Sequence, residues 1–500
     1  MRAHLSALSL VCLANALLAG PPIAEVVPHL DRVHKWHETN GDTWDPFWAD
    51  DDLLYSFNCD GRGFGKDMRN LALHQLTGPG LTSLVGRTIN TMDEYGKEGQ
   101  KGPDGATWKV LGQECIDGVF YAFVSRHRYG KDSRDPLLRQ TAFNASLIKS
   151  IDHGKTWTRT AQQNYDQPMW PGGRFGAPFF IHYGRNGGQV AQDEADRYVY
   201  ALSNNGFWNG GDDYIVARIP RDRIAALDVA DWQYHAGGTN WTAQITQAVP
   251  VLQLPAQCGS GPATFVPALG RYLLVAWYIP VTLKMWFEPK ELKYDFYEAE
   301  HPWGPWTFVS SLSDRFLVGG HMYGPSICAK HQERVGADVQ VALITSGCPF
   351  EDKPTGLYKM WQIPLTLRTT PAPPSRLVND NDPAVAYSAG WARGGPGRKF
   401  NDFQDDIHYA SNAGERVTFT FEGTGVDYLA EKYNDHGSLA VTLDGVPQGA
   451  VDLSTTNWPR LAQVAVFSAR NLPAGRHTLE LVTRDSRFAI VDAFRVYGAR

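Results

Sequence analysis

The chain has 500 residues, of which 43% are hydrophobic and 12% aromatic, so it can bury large cores and is long enough for more than one domain. Its formal net charge of -6 at pH 7 supplies no basic surface, which argues against nucleic acid and anionic membranes as partners. Most aromatic side chains are expected inside sheets, and a minority as flat platforms for sugar rings.

The N-terminus has the pattern of a secretory signal peptide. Arg2 precedes an apolar run at residues 5–18, and small residues follow before Pro21. No later segment has the roughly 18 consecutive apolar residues that a membrane span needs. Removal of residues 1–20 therefore predicts a secreted, extracellular protein without a membrane partner.

Residues 41–64 are rich in aspartate and aromatic side chains. If residues 50–52 form the turn of a hairpin, residues whose numbers sum to about 102 face each other, so Asp42 lies opposite Asp60. A slip of one residue would bring Asp45 toward the pair. Repulsion between two facing carboxylates raises the pKa of one of them. The pair then supplies one acid and one base, as glycoside cleavage requires. Alternatively, these aspartates only accept hydrogen bonds from backbone amides in turns.

Short β-rich runs fill residues 30–366, with almost no helical periodicity. An acidic or glycine turn followed by an aromatic strand recurs at residues 52–57, 117–123, 196–202, 270–275 and 338–343. The spacing of about 65 to 80 residues suits four-stranded blades and predicts a β-propeller. Five copies favour five blades, whereas compact blades of ~45 to 50 residues would give seven.

Residues 150–157, Ser-Ile-Asp-His-Gly-Lys-Thr-Trp, match the Asp-box pattern S-x-D-x-G-x-x-W. Asp152 and Gly154 are expected to make a tight turn, with Trp157 tucked under it. The motif resembles those of sialidases and other carbohydrate-handling β-propellers. It indicates the fold and not the catalytic site.

A proline-rich linker at residues 367–378 separates the propeller from a second β domain at residues 379–500. Strict alternation of apolar and polar residues, as at 417–421 and 439–443, predicts a jelly-roll sandwich with one face of each strand buried. Tyr387, Trp391 and the closing segment 488–496 are similar to galactose-binding-like modules attached to carbohydrate-active enzymes. The resemblance implies a carbohydrate-binding module.

Five cysteines remain once the signal segment is removed, an odd number for an oxidising compartment. Cys328 and Cys348 are predicted to pair, and a Cys59–Cys115 bridge is a second expectation. The spacings C-x-x-C and H-x-x-x-H are absent. No metal site and no cofactor are therefore predicted, and structural calcium is left open.

The chain is similar to known propeller families in several segments. Residues 44–55 and 60–64 resemble the opening blade of secreted propellers that include ulvan lyases and rhamnose-glucuronate lyases. Residues 179–186, 196–200 and 216–224 resemble them as well, so the resemblance covers most of residues 35–365. The spacing from Asp42 to Asp60 also resembles the endo-D-arabinanase propellers, which hydrolyse furanosides.

The resemblance to lyases implies a tyrosine and a histidine that exchange protons, and an arginine that neutralises a uronate. Tyr198 matches the strand of the tyrosine, and His127 is matched to one histidine. Asp213 and Tyr214 stand where the arginine is expected, so Arg126 or Arg185 would have to replace it. Thr107 and Trp108 stand where the other histidine is expected. Because of these departures, a lyase is the second candidate function, after a glycoside hydrolase.

Further substrate-binding candidates are aromatic or basic residues near glycines, at places where strands end close to the central funnel. The alternative for each is a buried edge aromatic or a solvent-facing loop residue. The candidates are Trp44, Arg126, Arg174, Trp208, His321 and Tyr323.

Three functions are thus in competition. The first is a secreted, monomeric glycoside hydrolase acting on a polysaccharide or oligosaccharide, with Asp42 or Asp45 and Asp60 as acid and base. The second is a polysaccharide lyase that uses His127 and Tyr198 to cleave next to a uronic acid. The third is a glycan-binding protein without catalytic activity.

Overall fold

The protein is all-β, with 54% strand and 7% helix, as the sequence predicts. The computed structural model describes residues 20–78, 80, 83–132, 135, 137–188, 197–279, 292–313, 322–347, 356, 358–371, 374–398, 400, 402–455 and 460–498. Within these ranges the chain forms a five-bladed β-propeller followed by a β-sandwich. No helix in the described ranges is long and apolar enough to cross a membrane.

The chain begins with two short strands that join the last blade, and it then builds the first two blades. The entering strands are β1 (Glu25–Pro28) and β2 (His34–Lys35). Blade 1 consists of β3 (Phe47–Trp48), β4 (Leu54–Gly61), β5 (Arg69–Thr77) and β6 (Val85–Asn90). Blade 2 consists of β7 (Thr107–Ile116), β8 (Val119–Arg128) and β9 (Thr141–Ser150).

A short helix, α1 (Ala161–Asp166), precedes the third blade. Blade 3 consists of β10 (Ala177–His182), β11 (Tyr198–Asn204), β12 (Gly211–Pro220), β13 (Gln233–His235), β14 (Trp241–Thr242) and β15 (Leu252–Cys258). Blade 4 consists of β16 (Ala263–Val266), β17 (Arg271–Tyr278), β18 (Lys293–Ala299) and β19 (Thr307–Ser313). Blade 5 consists of β20 (Met322–Ile327), β21 (Glu333–Val335), β22 (Asp338–Gly347) and β23 (Met360–Arg368).

Each of the five sequence repeats forms the second long strand of a blade, namely β4, β8, β11, β17 and β22. The five-blade prediction is therefore confirmed. The N-terminal strand β1 closes the ring, because it pairs antiparallel with β23 at the outer edge of blade 5. Glu25 and Arg368 face each other in this pairing and form an ion pair of 3.0 Å. Closure of the ring protects strand edges that would otherwise be exposed.

Strands near the propeller axis are buried on both faces because each blade packs between two others. Every residue of β4 and of β7 is buried. Such strands lack the alternation of a half-exposed strand, and here they also contain polar residues, such as Asn58 in β4 and Lys109 in β7. This difference explains why the sequence pattern changes at the domain boundary.

The propeller has a funnel face and an opposite face. The first strand of each blade begins at the funnel face and the second strand ends there, since the two run antiparallel. Asp42 precedes β3, Asp60 lies near the end of β4, and Tyr129 follows β8, so all three lie at the funnel face. The Asp-box follows β9, the third strand of blade 2, and lies at the opposite face.

The Asp-box forms the predicted turn. Asp152 accepts hydrogen bonds from the backbone amide and the hydroxyl of Thr156, at 2.9 and 2.7 Å. The indole of Trp157 donates to the carbonyl oxygen of Gly154 at 3.0 Å and packs against Phe57 of blade 1. The turn thus ties blade 2 to blade 1, as expected of a structural motif.

The second domain contains two main sheets and a small third one. The first six strands are β24 (Ser375–Asn379), β25 (Val385–Tyr387), β26 (Ala392–Gly394), β27 (Ile407–Ala410), β28 (Arg416–Gly423) and β29 (Gly425–Lys432). The last six are β30 (Ser438–Leu443), β31 (Val446–Asp452), β32 (Leu461–Ala469), β33 (Gly475–Thr483), β34 (Ala489–Val491) and β35 (Ala493–Tyr497).

The main sheets have the strand orders β24-β35-β29-β32 and β25-β28-β33-β30-β31, and the small sheet has the order β26-β27-β34. Residues in β28 and β30 alternate between buried and more exposed positions, as the sequence predicts for a sandwich. The last propeller strand ends at Arg368 and the sandwich begins at Ser375. The connection is therefore shorter than the predicted linker at 367–378.

The predicted Cys59–Cys115 disulfide is wrong. Both residues are buried free thiols. The Cys59 thiol donates to the carbonyl oxygen of Val110 at 3.6 Å, and the Cys115 thiol donates to the side-chain oxygen of Asn186 at 3.3 Å. Cys328 also carries a free thiol within the described residues, and its predicted partner at position 348 lies outside them.

Candidate functional site

The first hairpin has the register that the sequence predicts near its turn. Phe47 pairs with Tyr55 and Trp48 with Leu54, so the numbers sum to 102. At the funnel face the register has shifted by one residue, and Asp42 pairs with Cys59 through two backbone hydrogen bonds. Asp60 is therefore next to the residue that faces Asp42.

Asp42 is a buried carboxyl group with two hydrogen-bond donors. The Tyr323 hydroxyl donates to Asp42 Oδ2 at 2.6 Å, and the Thr43 hydroxyl donates to Asp42 Oδ1 at 3.0 Å. Burial raises the pKa of Asp42, and the charge of Asp60 raises it further, although Lys109 and these hydrogen bonds partly offset the rise. This environment favours the protonated acid.

Asp60 lies in the opposite electrostatic setting. Its Oδ2 atom accepts hydrogen bonds from the Lys109 ammonium group and, at 2.7 Å, from the Tyr129 hydroxyl. Burial alone would lower the pKa of Lys109, but Asp60, Tyr129 and Asp42 raise it well above its usual value. Lys109 is thus a buried cation that contacts Asp60 directly.

The second oxygen of Asp60 differs from the first in its contacts. Asp60 Oδ1 is buried and has no hydrogen-bond partner among the described residues. The backbone of Asp60 is also held, because the hydroxyl of Tyr358 donates to its carbonyl oxygen at 2.8 Å. A fixed carboxylate with one free oxygen, close to a carboxyl group of raised pKa, can act in acid–base catalysis.

Asp45 belongs to a different cluster at the propeller axis. His182 Nε2 lies 2.9 Å from Asp45 Oδ1, and His182 Nδ1 lies 2.7 Å from Glu114 Oε2. Ser326 donates to Asp45 Oδ1 at 2.6 Å. Burial alone would lower the pKa of His182, but the two carboxylates outweigh it and raise the pKa to about 10. The ion pair engages Asp45 Oδ1, whereas Asp45 Oδ2 is buried without a hydrogen-bond partner among the described residues, so a role of Asp45 as acid or base stays a prediction.

Sequence reasoning missed Lys109, Glu114 and His182. The sequence signal was the presence of Lys109 and Glu114 in one strand-like run, residues 107–116. In the structure every residue of this strand is buried. Charged groups on a fully buried strand need partners. Their partners come from other blades, however, and the sequence does not show which blades meet.

The structure does not bring His127 and Tyr198 together. His127 is fully buried, with Nε2 2.8 Å from Gln140 Oε1, and burial together with Lys109 lowers its pKa well below the usual value. Tyr198 begins β11, whereas Asn204 ends that strand near the funnel face. At about 3.3 Å per residue, Tyr198 lies about 20 Å along the strand from Asn204, and so at the face opposite the funnel. The predicted lyase pair is corrected on this geometry.

Trp44 is a core residue and not a sugar platform. Its side chain is fully buried, its indole donates to the carbonyl oxygen of Gly41 at 3.0 Å, and its ring packs against Phe64 and His74. A sugar ring cannot reach it without displacing this packing.

Arg126 is also largely buried, and it lies beside the funnel rather than in it. It forms two hydrogen bonds with Asp104, at 2.9 and 2.7 Å, and lies over the ring of Trp108 at 4.5 Å. It borders a cavity of about 330 Å³ that Tyr165 of α1 also lines. Arg126 therefore pairs with Asp104, and the cation that contacts Asp60 is Lys109.

The remaining candidates lie at the funnel face or outside the described residues. Trp208 is buried, 5.9 Å from Lys109 Nζ, and Arg174 forms an ion pair of 2.6 Å with Asp213 at the rim. Tyr323 contacts Asp42, as described above. His321 lies outside the described residues. Among the described residues, no group of three or more His, Cys, Asp or Glu side chains is arranged to hold a metal ion.

A family model described as a domain of unknown function, DUF4185, matches residues 115–346 of the chain. Two enzymes from Flavonifractor plautii are similar over shorter segments. The A type blood N-acetyl-alpha-D-galactosamine deacetylase is 30% identical over 112 residues, which is 22% of this chain and 14% of that enzyme. The A type blood alpha-D-galactosamine galactosaminidase is 28% identical over 107 residues, which is 21% of this chain and 9% of that enzyme.

Among solved structures, the exo-beta-1,3-galactanase from Phanerochaete chrysosporium aligns with 92% of this chain and 96% of that chain, at 11% identity and a TM-score of 0.38. This score is too low to establish a common fold, so the propeller assignment rests on the sheet topology. The chain matches only a small part of each of its two Flavonifractor relatives. In sequence, it is similar to the DUF4185 family over residues 115–346 and to two carbohydrate-processing enzymes.

Proposed function

We propose that the protein is a secreted glycoside hydrolase in which Asp42 is the acid and Asp60 the base. The observation that carries this proposal is the asymmetry of the two carboxyl groups. Asp42 has a raised pKa, whereas Asp60 is bound to the buried cation Lys109 and keeps one oxygen free. Glycoside cleavage needs one protonated and one ionised carboxyl group in the same site.

In this mechanism Asp42 gives its proton to the oxygen of the leaving sugar as the bond to the anomeric carbon breaks, and Asp60 Oδ1 takes a proton from the water that attacks that carbon. Lys109 donates to Asp60 Oδ2 and so orients its carboxyl group. Tyr129, which donates to the same oxygen, fixes the carboxylate plane. The proposed substrate is a polysaccharide or oligosaccharide, and the galactosaminidase named among the relatives supports glycan chemistry.

The test is a screen of the purified protein against plant, algal, gum and mycobacterial polysaccharides, followed by variants on the best substrate. Asp42→Asn and Asp60→Asn keep the shape of the side chain but remove its titrating group. Each is expected to lower turnover by ~10² to 10⁴ while the protein stays folded. Asp93→Asn is the matched control, because Asp93 is an exposed aspartate paired with Arg69. Near-normal turnover in both funnel variants would refute the proposal.

Carbohydrate deacetylation is a second candidate, favoured by the deacetylase named among the relatives. Measuring acetate release beside reducing-sugar release in the same screen separates the two reactions. Release of acetate without new reducing ends would refute the hydrolase proposal and favour a deacetylase. Elimination has less support, because its predicted histidine and tyrosine lie at different faces of the propeller. An unsaturated product that absorbs in the ultraviolet would instead favour the lyase.

A further inference from the structure

A groove rich in aromatic side chains lies on the face of the propeller opposite the funnel, between blades 3 and 4. Its volume is about 200 Å³. Blade 3 contributes Tyr198 at the start of β11, Arg218 near the end of β12, and Trp241 in β14. Blade 4 contributes Trp303 from the connection that follows β18. The catalytic proposal uses none of these residues.

The aromatic rings hold one arginine in place. The guanidinium carbon of Arg218 lies 4.0 Å from the ring centre of Tyr198 and 4.0 Å from that of Trp241. Its Nε donates to Gln233 Oε1 at 3.0 Å. Stacking fixes the guanidinium plane, and the Nε contact fixes its rotation. The two terminal nitrogens are thus pre-oriented donors that suit a two-pronged acceptor.

The groove carries positive charge, and no carboxylate of the described residues pairs with it. Arg197 is exposed and lines the groove beside Arg218. Within the described part of the chain, neither arginine has a carboxylate partner, in contrast to Arg221 and Arg223, which pair with Asp117 and Asp231. An anionic ligand would therefore meet two cations that no acidic side chain of the described residues neutralises.

A stacking surface lies next to the charge. Trp303 packs edge-on against Trp241 at 5.6 Å, and His301 stacks on it at 5.0 Å, so the indole is held on two sides. Trp303 is only partly buried and contributes to the groove wall. Aromatic faces of this kind bind the apolar face of a sugar ring.

We propose that this groove is a second, non-catalytic binding site for an acidic sugar, with Arg218 and Arg197 binding a uronate carboxylate and Trp303 stacking on the ring. A negatively charged unit of a glycan chain would be held there, at the face away from the funnel. The inference goes beyond the proposed hydrolase activity and does not depend on it, since binding is measured without turnover.

The test uses the full chain carrying both Asp42→Asn and Asp60→Asn, titrated with tetragalacturonate in a calorimeter. The uronide is expected to bind, and its methyl ester, which keeps the rings but lacks the charge, is expected to bind at least about tenfold more weakly. A sulfated galactose tetrasaccharide tests the other source of negative charge. Equal or tighter binding of the sulfated sugar, or of the ester, would overturn the assignment to uronate.

Variants locate the binding. The double change Arg197→Gln with Arg218→Gln should weaken uronide binding by about tenfold or more, since two charged donors are lost. Thr239→Trp should weaken it as well, because Thr239 is an exposed residue of the groove wall and a large side chain there fills the space without touching the core. Arg223→Gln, an exposed arginine outside the groove, is the matched control and should leave binding unchanged.

Three results of these experiments would overturn the proposal. The first is the absence of uronide binding to the starting protein. The second is unchanged binding in Thr239→Trp, which tests the location even if the arginine variants fail to fold. Loss of binding in Arg223→Gln to the same extent as in the groove variants would also contradict it, because it would indicate general charge attraction.

Discussion

At the scale of single residues, the environment decides what two similar carboxyl groups can do. Asp42 and Asp60 are both nearly buried. Tyrosine and threonine hydroxyls surround Asp42, whereas an ammonium group contacts Asp60. A hydroxyl can bind either protonation state, but an ammonium group stabilises only the ionised one. The proposed division into acid and base follows from these neighbours and not from the aspartates themselves.

Replacing Tyr323 should change the pH dependence of activity. The Tyr323 hydroxyl donates to Asp42 and so lowers the pKa of Asp42 relative to burial alone. In Tyr323→Phe the pKa of Asp42 should rise further, and the acid should stay protonated to a higher pH. The alkaline limb of the profile of kcat/KM against pH should therefore move upward. Tyr272→Phe, which loses a hydroxyl contact with Tyr183 in another part of the core, is the control.

An unchanged alkaline limb in Tyr323→Phe would show that Asp42 does not set it. A shift of equal size in Tyr272→Phe would point to a general effect of losing a buried hydroxyl.

At the scale of structural elements, buried charges join the strands nearest the axis. Asp45 before β3, Glu114 in β7, His182 in β10 and Ser326 in β20 belong to four different blades. A propeller has no single continuous core through its axis, and these contacts connect blades there. The cluster lies beside the funnel hairpin, so it also supports the backbone that carries Asp42.

Removing His182 should destabilise the propeller. His182→Gln leaves two buried carboxylates without their cation, and the free energy of unfolding should fall by about 3–5 kcal/mol. Urea unfolding measures this. His153→Gln is the control, because its pair with Asp50 is partly exposed and such pairs contribute only about 0–1 kcal/mol. Equal losses in the two variants would contradict a special role for the axial cluster.

The same ion pair predicts how stability depends on pH. The pKa of His182 is about 10 in the folded protein and 6.5 when free, so folding favours the protonated form. Its contribution should be complete below about pH 6.5 and should be lost as the pH rises toward about 10. Urea unfolding between these values, compared with His182→Gln, isolates it. A stability difference that does not shrink with rising pH would disagree with this linkage.

The Asp-box should matter for stability and not for catalysis. Asp152→Ala removes two hydrogen bonds to Thr156 at the face opposite the funnel and should cost about 1–3 kcal/mol. Turnover of the folded variant should match that of the unchanged protein. Thermal unfolding and kinetics at a temperature well below the transition test both parts. A large loss of turnover without loss of stability would indicate a catalytic role.

At the scale of the whole molecule, the ring closes without the second domain. β1 completes blade 5, and β23 ends before the sandwich begins. The sandwich has its own core, which includes Val417, Phe419 and Phe494. Each domain therefore has a hydrophobic core of its own, and we propose that the sandwich binds glycan while the propeller cleaves it.

Removing residues 375–500 should leave a folded propeller that still cleaves short soluble oligosaccharides. Activity on polymeric substrate should fall, because the attached binding module raises the local concentration of polymer. Comparing the truncated and full chains on a short substrate and on its polymer tests this. Loss of activity on the short substrate, with the propeller still folded by circular dichroism, would mean that the sandwich helps to build the active site.

The sequence by itself determined the features that depend on near neighbours. Turn residues and aromatic strands repeat five times, and the hairpin turn at residues 50–52 fixes which residues face each other, so five blades and the proximity of Asp42 and Asp60 were predictable. The register shift at Cys59 was not predictable from the turn, and it coincides with positive-φ backbone at Thr43 and Asp60.

Only the tertiary structure decided which partners these residues meet. Lys109 reaches Asp60 from 49 positions away, and Tyr323 reaches Asp42 from 281 positions away. Such contacts exist because closure of the ring brings distant blades to one axis, and no local pattern encodes which side chains then meet. The same closure separated His127 from Tyr198 and put Tyr198 in a groove on the opposite face.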